Sequence, residues 1–398
     1  MLQALLNFLA HGLTGASWVG VLIYALVVTQ LTIFSVTMYL HRSQTHRGVD
    51  FHPAINHAFR FWLWLSTGMI TKEWVGVHRK HHARVDTAED PHSPQYAGIK
   101  KVFWDGVSLY RNSAARKDDM EKYGRGTPDD WVEKHVYTGH AMLGIVLMAI
   151  INISLFGVLG VAVWAAQMAW IPFWAAGFVN GLGHWWGYRN FESDDKSTNL
   201  FPWAFWIGGE ELHNNHHAFP SSARFSMRKW EFDIGWFAIR TLETLKLAKV
   251  LRVAPTLDIR PNVNLPDAET LKAVLTHRVQ AMTEYYRTVI VPTLREEAGH
   301  AGDSLKAVPG RLRRALANGG HWLDGAGTER MQSVLAKRPT LQTVCEYRQR
   351  LAQLLELRGA EQLKGLQQWV HEAEQSGIQA LHDFAVRLKS YKVKVVGA

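Results

Sequence analysis

Two histidine clusters in this chain repeat one spacing: His78, His81 and His82 in H-R-K-H-H, and His213, His216 and His217 in H-N-N-H-H. Offsets of three and four residues put the three imidazoles of each cluster on one face of a helix. Upstream, His41 and His46 stand five apart in H-R-S-Q-T-H, a step that sets two rings about 140° apart on an ideal helix. Those two are expected either to serve different metal ions or to straddle a helix end. Eight imidazoles clustered beside long apolar segments read as a polynuclear metal site at a membrane surface. An all-nitrogen donor set suits zinc, copper or iron, so ligand type alone does not choose the metal. Zinc would bind there but supplies no redox chemistry. Asn180 and His184, in N-G-L-G-H-W-W-G-Y, are four apart and share a helix face. Glu73, Asp90, Glu210 and Glu211 flank the clusters and are candidates to orient ring N–H groups. His52, His57, His92, His135 and His140 lack such spacing and are read as structural.

The apolar segments must deliver these rings to one place. Residues 17–40 carry no charge, and about 24 residues at 1.5 Å each reach about 36 Å, enough to cross a bilayer. The span ends at His41, and Arg42 and Arg47 mark that end as cytoplasmic. Between Lys134 and Arg189 there is no Asp, Glu, Lys or Arg. That gap predicts two spans, 137–156 and 162–183, with Gly157 and Gly160 in the turn, returning both ends to the side of the histidines. Residues 1–13 are apolar but short, and either lie in the interface or begin a first span. Residues 58–71 are too short to cross and are expected as an interfacial helix with Trp62 and Trp64 at headgroup depth. Residues 222–250 read as one amphipathic helix on the membrane, carrying Trp230, Phe232, Trp236 and Phe237. Pro255, Pro261 and Pro266 mark a linker, 255–266. Residues 267–398 are charged, Leu-spaced and helical, with breaks near Gly299–Gly310 and Gly319–Gly327.

With 17 Trp and 47% hydrophobic residues the chain is too aromatic for an average soluble domain, yet its mean hydropathy is −0.12. A membrane part, 1–254, plus a polar part is the expectation. Net charge +9 suits anionic headgroups or an anionic substrate, and no nucleic-acid-binding pattern occurs in the first 250 residues. The single Cys345 excludes an intrachain disulfide and a thiolate metal cage. No positively charged leader region precedes Arg42, so no cleavable signal is expected.

H-R-x-x-x-H, H-R-x-H-H and H-N-x-H-H, in this order between apolar spans, resemble the membrane-bound fatty acyl desaturases, close to the stearoyl-CoA desaturase type. Glu73-Trp74, Asp90-Pro91-His92 and Gly209-Glu210 add to the likeness, which covers roughly residues 17–250 and leaves out the last third. The resemblance implies an all-α fold: an integral membrane helical bundle with a His-rich di-metal cap facing the cytoplasm, here followed by a helical accessory region. It implies two irons, held by the eight clustered histidines with His184 as a ninth ligand and Asn180 acting through a bound water. Nine rings are too many for one ion and suitable for two. The implied reaction takes O₂, two electrons and a saturated long-chain acyl group, on CoA or in a lipid, and leaves a cis double bond, expected at the ninth carbon. Thr29 and Ile33 would close the far end of the acyl tunnel, with Trp74 also against substrate. Such C–H bonds are too inert for acid–base catalysis. No haem, flavin or nicotinamide motif occurs in the chain. The electrons are therefore expected from a separate ferredoxin, or a haem cytochrome with its reductase, docking at a bacterial inner membrane. A fatty acyl hydroxylase on the same scaffold is the alternative, and a metal transporter or sensor a remote one.

Overall fold

The structure, a computed structural model, describes residues 2–300 and 308–394. It divides into two compact units: residues 1–190 with 195–254, and residues 191–194 with 255–398.

The first unit opens with α1 (Leu2–His11), then α2 (Trp18–Ser35), whose Ser17 cap accepts the Gly20 N–H. The helix does not stop at residue 40. It continues in a wider, π-helical turn over Val36–Thr45, so the apolar element runs unbroken from Trp18 to Thr45. A short strand β1 (Val49–Phe51) leads to α3 (Pro53–Thr67) and α4 (Thr71–Arg84). Beyond these lie α5 (Ile99–Ala114) and α6 (Lys117–Tyr123).

A hairpin of α7 (Ala141–Phe156) and α8 (Val158–Ile171) follows, α8 continuing through a π-helical stretch Pro172–Gly181 and a tight turn to His184. The hairpin differs from expectation at both ends. Its first helix starts at Ala141, after a separate π-helical segment Glu133–Thr138, because His140 breaks the helix with φ −134° and ψ 46°. Gly157 alone makes the turn, at φ 60° and ψ −135°, a conformation that favours glycine. Gly160 sits inside α8, where a Cβ would fall 2.1 Å from the Asn152 carbonyl oxygen, so its task is close helix contact. Across the same contact the Asn152 amide donates to Gln167 Oε1 at 2.8 Å.

Among the described residues two helices, Trp18–Thr45 and Val158–His184, are long and apolar enough to cross a membrane, with α7 a shorter apolar partner. Leu22, Ile23 and Val27 on α2, with Ile150 on α7 and Val161 on α8, are exposed. Exposed apolar residues on apolar helices are the pattern of a lipid-facing surface. The expectation for 58–71 needs correcting in part. Trp64 is buried and its indole donates to His140 O, and the Trp62 indole donates to Thr32 Oγ1, so both rings turn into the bundle rather than outward.

The remaining elements of this unit are short: β2 (Trp203–Ala204), α9 (His213–Ala218), β3 (Phe232–Asp233), α10 (Ile234–Thr244) and β4 (Ala248–Val250). β4 pairs antiparallel with β1, and β2 pairs parallel with β3. Residues 222–250 are therefore not one amphipathic helix. Two buried carboxylates pull the backbone before α10 into turns. Glu231 accepts the N–H groups of Met227 and Arg228, while Asp233 accepts those of Phe225 and Trp236, the latter as the cap of α10.

The second unit is helical around its own core. It comprises β5 (Leu257–Ile259), α11 (Ala268–Thr276), α12 (Arg278–Tyr285) and α13 (Val291–His300). Then come α14 (Gly310–Ala317), α15 (Gly325–Ala336), α16 (Pro339–Leu354), α17 (Ala360–Glu374), α18 (Gln379–Lys389) and β6 (Tyr391–Val393), which pairs with β5. Tyr285, Val344, Leu351, Trp369 and Phe384 are buried together. Of the expected helix breaks, Gly319 and Gly320 take positive φ between α14 and α15. Most of the break near Gly299–Gly310 lies outside the described residues.

Candidate metal centre

The nine singled-out histidines come together from four elements: the end of α2, α4, the end of α8, and α9. They form two groups. His41, His46, His78, His82 and His216 make one, and His81, His184, His213 and His217 the other, with the ligand atoms of each group within 4.8 Å of one another. The spacing of α4 explains the partition there. His78 and His82, four apart, point to the first group, and His81 is turned to the second. In α9 the adjacent His216 and His217 divide in the same way.

His41 and His46 fall in one group despite their five-residue step, and His46 caps the helix end. The π-helical turn is the reason. The His46 N–H bonds to His41 O at 3.1 Å, so residues five apart lie above one another and the rings meet with centroids 4.9 Å apart. Arg79, between the histidines of α4, holds that turn. Its guanidinium donates to the carbonyls of Gln44 and Thr45, which the ending helix leaves free. Arg42 is the second scaffold residue. It is buried, meets Asp233 through Nη1 at 3.1 Å and Nη2 at 2.9 Å, donates to Ala223 O and Gly208 O, and lies over the Phe225 ring.

Ring orientation follows one pattern. His41 Nδ1 donates to Glu210 at 2.7 Å, His81 Nδ1 to Asp90 at 2.9 Å, His184 Nδ1 to Asp86 at 3.1 Å, and His217 Nδ1 to Asp195 at 3.0 Å. A proton fixed on Nδ1 leaves the Nε2 lone pair free to face inward, the arrangement usual behind metal-bound histidines. Nε2 atoms do approach one another: His41 to His216 at 3.0 Å, His78 to His82 at 3.1 Å, His82 to His216 at 2.9 Å, and His184 to His213 at 3.0 Å. Nitrogens each about 2.1 Å from a shared ion stand about 3.0 Å apart at right angles around it and about 3.4 Å apart around a tetrahedral one. His46, His81 and His217 also keep a buried Nε2 without a partner among the described residues. Burial, reinforced by the neighbouring rings, pushes the pKa of His78, His82, His213, His216 and His217 well below the usual value. They are neutral, with lone pairs to give. For Asp90, burial acts upward but the His81 ring more than offsets it and the carboxyl is held low. The donor set thus fits two metal ions.

The other singled-out residues divide. Glu210 and Asp90 touch rings, whereas Glu211 and Glu73 do not. Glu211 instead accepts the N–H groups of Trp206, Ile207 and Gly209, and burial pushes it up to about 7. Glu73 lies in the first turn of α4 and is raised by burial. Asp86 and Asp195 were not anticipated. Asp86 is four residues past His82, a spacing that could have drawn attention, but nothing in S-D-D-K separates Asp195 from its neighbour. His92 stacks on His81 with centroids 4.4 Å apart and groups with Asp90. Trp74 stacks on His78, 5.0 Å between centroids. Ile33 is buried with Leu63, Ile171, Val179 and Ile207, and the Thr29 hydroxyl bonds back to Ala25 O in its own helix. Asn180 is half-buried near the end of the π-helical stretch, one turn before His184.

Comparison with known proteins agrees with this architecture. The fatty acid desaturase family model matches residues 16–233. The chain is 30% identical over 260 residues to an sn-1 stearoyl-lipid 9-desaturase of Synechocystis sp., covering 64% of this chain and 77% of that protein. It is 30% identical over 240 residues to Delta-9 acyl-lipid desaturase 2 of Arabidopsis thaliana, covering 60% and 75%. Against an acyl-CoA C20 Delta5-desaturase of Anemone leveillei it is 32% identical over 249 residues, covering 59% and 73%. The chain belongs to the fatty acid desaturase family. It is a membrane-associated oxidoreductase that desaturates fatty acyl groups.

Proposed function

We propose that this desaturase uses O₂ and two irons to place a cis double bond at the ninth carbon of a saturated long-chain acyl-CoA. One observation carries the reading: nine inward-facing imidazoles in groups of five and four, four of them oriented by a carboxylate. Bound iron supplies the oxygen activation needed to oxidise unactivated methylene C–H bonds. His41, His46, His78, His82 and His216 hold one ion, and His81, His184, His213 and His217 the other. Asn180 completes the smaller group through a water. Glu210, Asp86, Asp90 and Asp195 keep the protons on Nδ1 and so keep each Nε2 available. Trp74, stacked on His78, walls the site on the substrate side, and Ile33 with Thr29 limits how far the acyl tail can run back along α2. Electrons come from a separate acidic ferredoxin or cytochrome at the cytoplasmic face of a bacterial inner membrane, attracted by the net positive charge.

The names of the two 9-desaturases above favour a second reading of the carrier, in which the acyl group is desaturated in a membrane lipid. Product analysis with stearoyl-CoA and with stearoyl lipid, using purified enzyme and an added donor, separates the two. A double bond at another carbon, or a hydroxylated product, overturns the assignment.

A further inference from the structure

The second unit contains a cleft that the desaturase reading does not use. It is a cavity of 270 Å³ between the end of α14, α15 and α16. At about 30 Å³ per water it has room for a small organic molecule. Its inner part is formed by Leu316 and Arg348, both buried, with Met331, Leu335 and Cys345 half-buried around them. The opening is edged by exposed, uncharged Gln332, Gln342 and Gln349 and by the acidic Glu346, whose carboxylate already accepts from Gln342.

Arg348 is the unusual member. It is only 6% exposed, yet among the described residues none of its nitrogens makes a hydrogen bond or an ion pair, and its Nε is wholly enclosed. Asp194 and Glu192 act on it electrostatically without reaching contact. A second donor without an acceptor among the described residues lies close by. The Asn318 side-chain nitrogen is buried and unpartnered, next to Gly319, where an added Cβ would stand 3.5 Å from Arg348 Nη1. A buried guanidinium with no acceptor in direct contact is costly, and its planar fork of N–H groups matches a carboxylate or a phosphate. One cation facing a rim that holds a carboxylate favours a single negative charge over two. The apolar lining of Leu316, Met331 and Leu335 favours a short hydrocarbon body.

We propose that the C-terminal helical unit binds a small monocarboxylate, its carboxylate on Arg348 and its apolar part against Leu316, Met331 and Leu335. The site is independent of the metal centre's assignment. Cys345, the chain's single cysteine, lines the same cavity and reports on its occupancy.

The test uses the full-length, metal-loaded protein in detergent, with hexanoate as probe and hexanamide and inorganic phosphate as comparators. Calorimetry is expected to give saturable 1:1 binding of hexanoate, weakened at least about tenfold in Arg348→Gln, with neither comparator binding as tightly. Hexanoate, and not hexanamide, is expected to slow alkylation of Cys345, which confines the effect to this cavity. Leu335→Trp fills the space while keeping Arg348, and should abolish both effects; it carries the decision if Arg348→Gln does not fold. Absence of saturable hexanoate binding, tighter binding of phosphate, or unprotected Cys345 at saturation each overturns the proposal. So does undiminished binding in both variants.

Discussion

Asp86→Asn is the sharpest test of whether the carboxylates fix ring orientation. The Asp86 side chain is enclosed and fully engaged: Oδ2 accepts His184 Nδ1 at 3.1 Å and Lys196 N–H at 2.8 Å, while Oδ1 accepts the Ser93 hydroxyl at 2.9 Å. A carboxylate serves all three donors. An amide of the same shape can keep its oxygen on His184 Nδ1 and the Lys196 N–H and turn its NH₂ to the Ser93 hydroxyl, but it meets the ring only as a neutral acceptor. A neutral acceptor holds the His184 Nδ1 proton less firmly than a charged one, so the carboxylate is lost as orienting partner and the proton is freer to move to Nε2 and block the inward lone pair. Loss of such an outer partner typically costs about 10–100-fold in metal affinity, or roughly 1.4–2.7 kcal/mol. The loss should be confined to the group of four. Protein loaded with iron, then dialysed against a graded chelator series, should retain close to two metal ions per chain as wild type. Asp86→Asn should give up one ion at about 10–100-fold weaker chelation and keep the other. Asp195→Asn should do the same, whereas Glu210→Gln should weaken the group of five. Equal loss of both ions in Asp86→Asn, or full retention, would refute the division of labour argued here.

Further outcomes follow from other contacts. Arg42→Met strands Asp233 in a site where both side chains are fully buried, so about 3–5 kcal/mol of stability should be lost. Adding Asp233→Asn removes the stranded charge, keeps an acceptor for the α10 cap, and should recover part of the melting temperature; no recovery argues against the ion-pair account. Gly160→Leu should separate α7 from α8 and lower the melting midpoint far more than Gly20→Ala, since a Cβ at Gly20 meets nothing closer than 3.7 Å. Cys345, pushed up to about 12 from 9.0 chiefly by burial, should at pH 8 react with thiol reagents about a thousandfold slower than an exposed cysteine. Its rate should rise about tenfold per pH unit, because only the thiolate reacts; a rate like that of free cysteine would remove the burial argument. Ile33→Trp should favour shorter acyl chains and Ile33→Ala longer ones, with the double bond unmoved from the carboxyl end. Unchanged product profiles from mixed substrates in both variants would discard Ile33 as the limit of the tunnel.

Most of the site's geometry was legible because histidine spacing on a helix translates directly into direction. Three- and four-residue steps gave one face each for α4 and α9, and the charge-free stretch before Arg189 placed the hairpin. What escaped was set by contacts distant in sequence. The five-residue step of His41 and His46 reads as divergent on an ideal helix, and only the widened turn makes it convergent. Asp86 and Asp195 became ring partners through loops whose path no local pattern records. Residues 222–250 have the composition of an amphipathic helix, but Glu231 and Asp233 draw their backbone donors into turns before α10 can start. Trp62 and Trp64 have the setting of headgroup aromatics in the sequence, yet their indoles find acceptors on Thr32 and His140 inside the bundle.

The widened turn from Val36 to Thr45 also bears on how this segment can change over generations. Deleting one residue between His41 and His46 would leave a four-residue pair, which by spacing alone looks better suited to sharing a helix face. In the wide turn the His46 N–H already bonds to His41 O, so such a deletion would convert that bond to the ordinary four-residue one and close the turn, leaving Arg47 and β1 near their present places. An insertion has no such slack to use, and would turn the residues after it about the helix axis. Loss of one residue is thus tied to loss of the wide turn itself, and lineages of this segment should shed the two together.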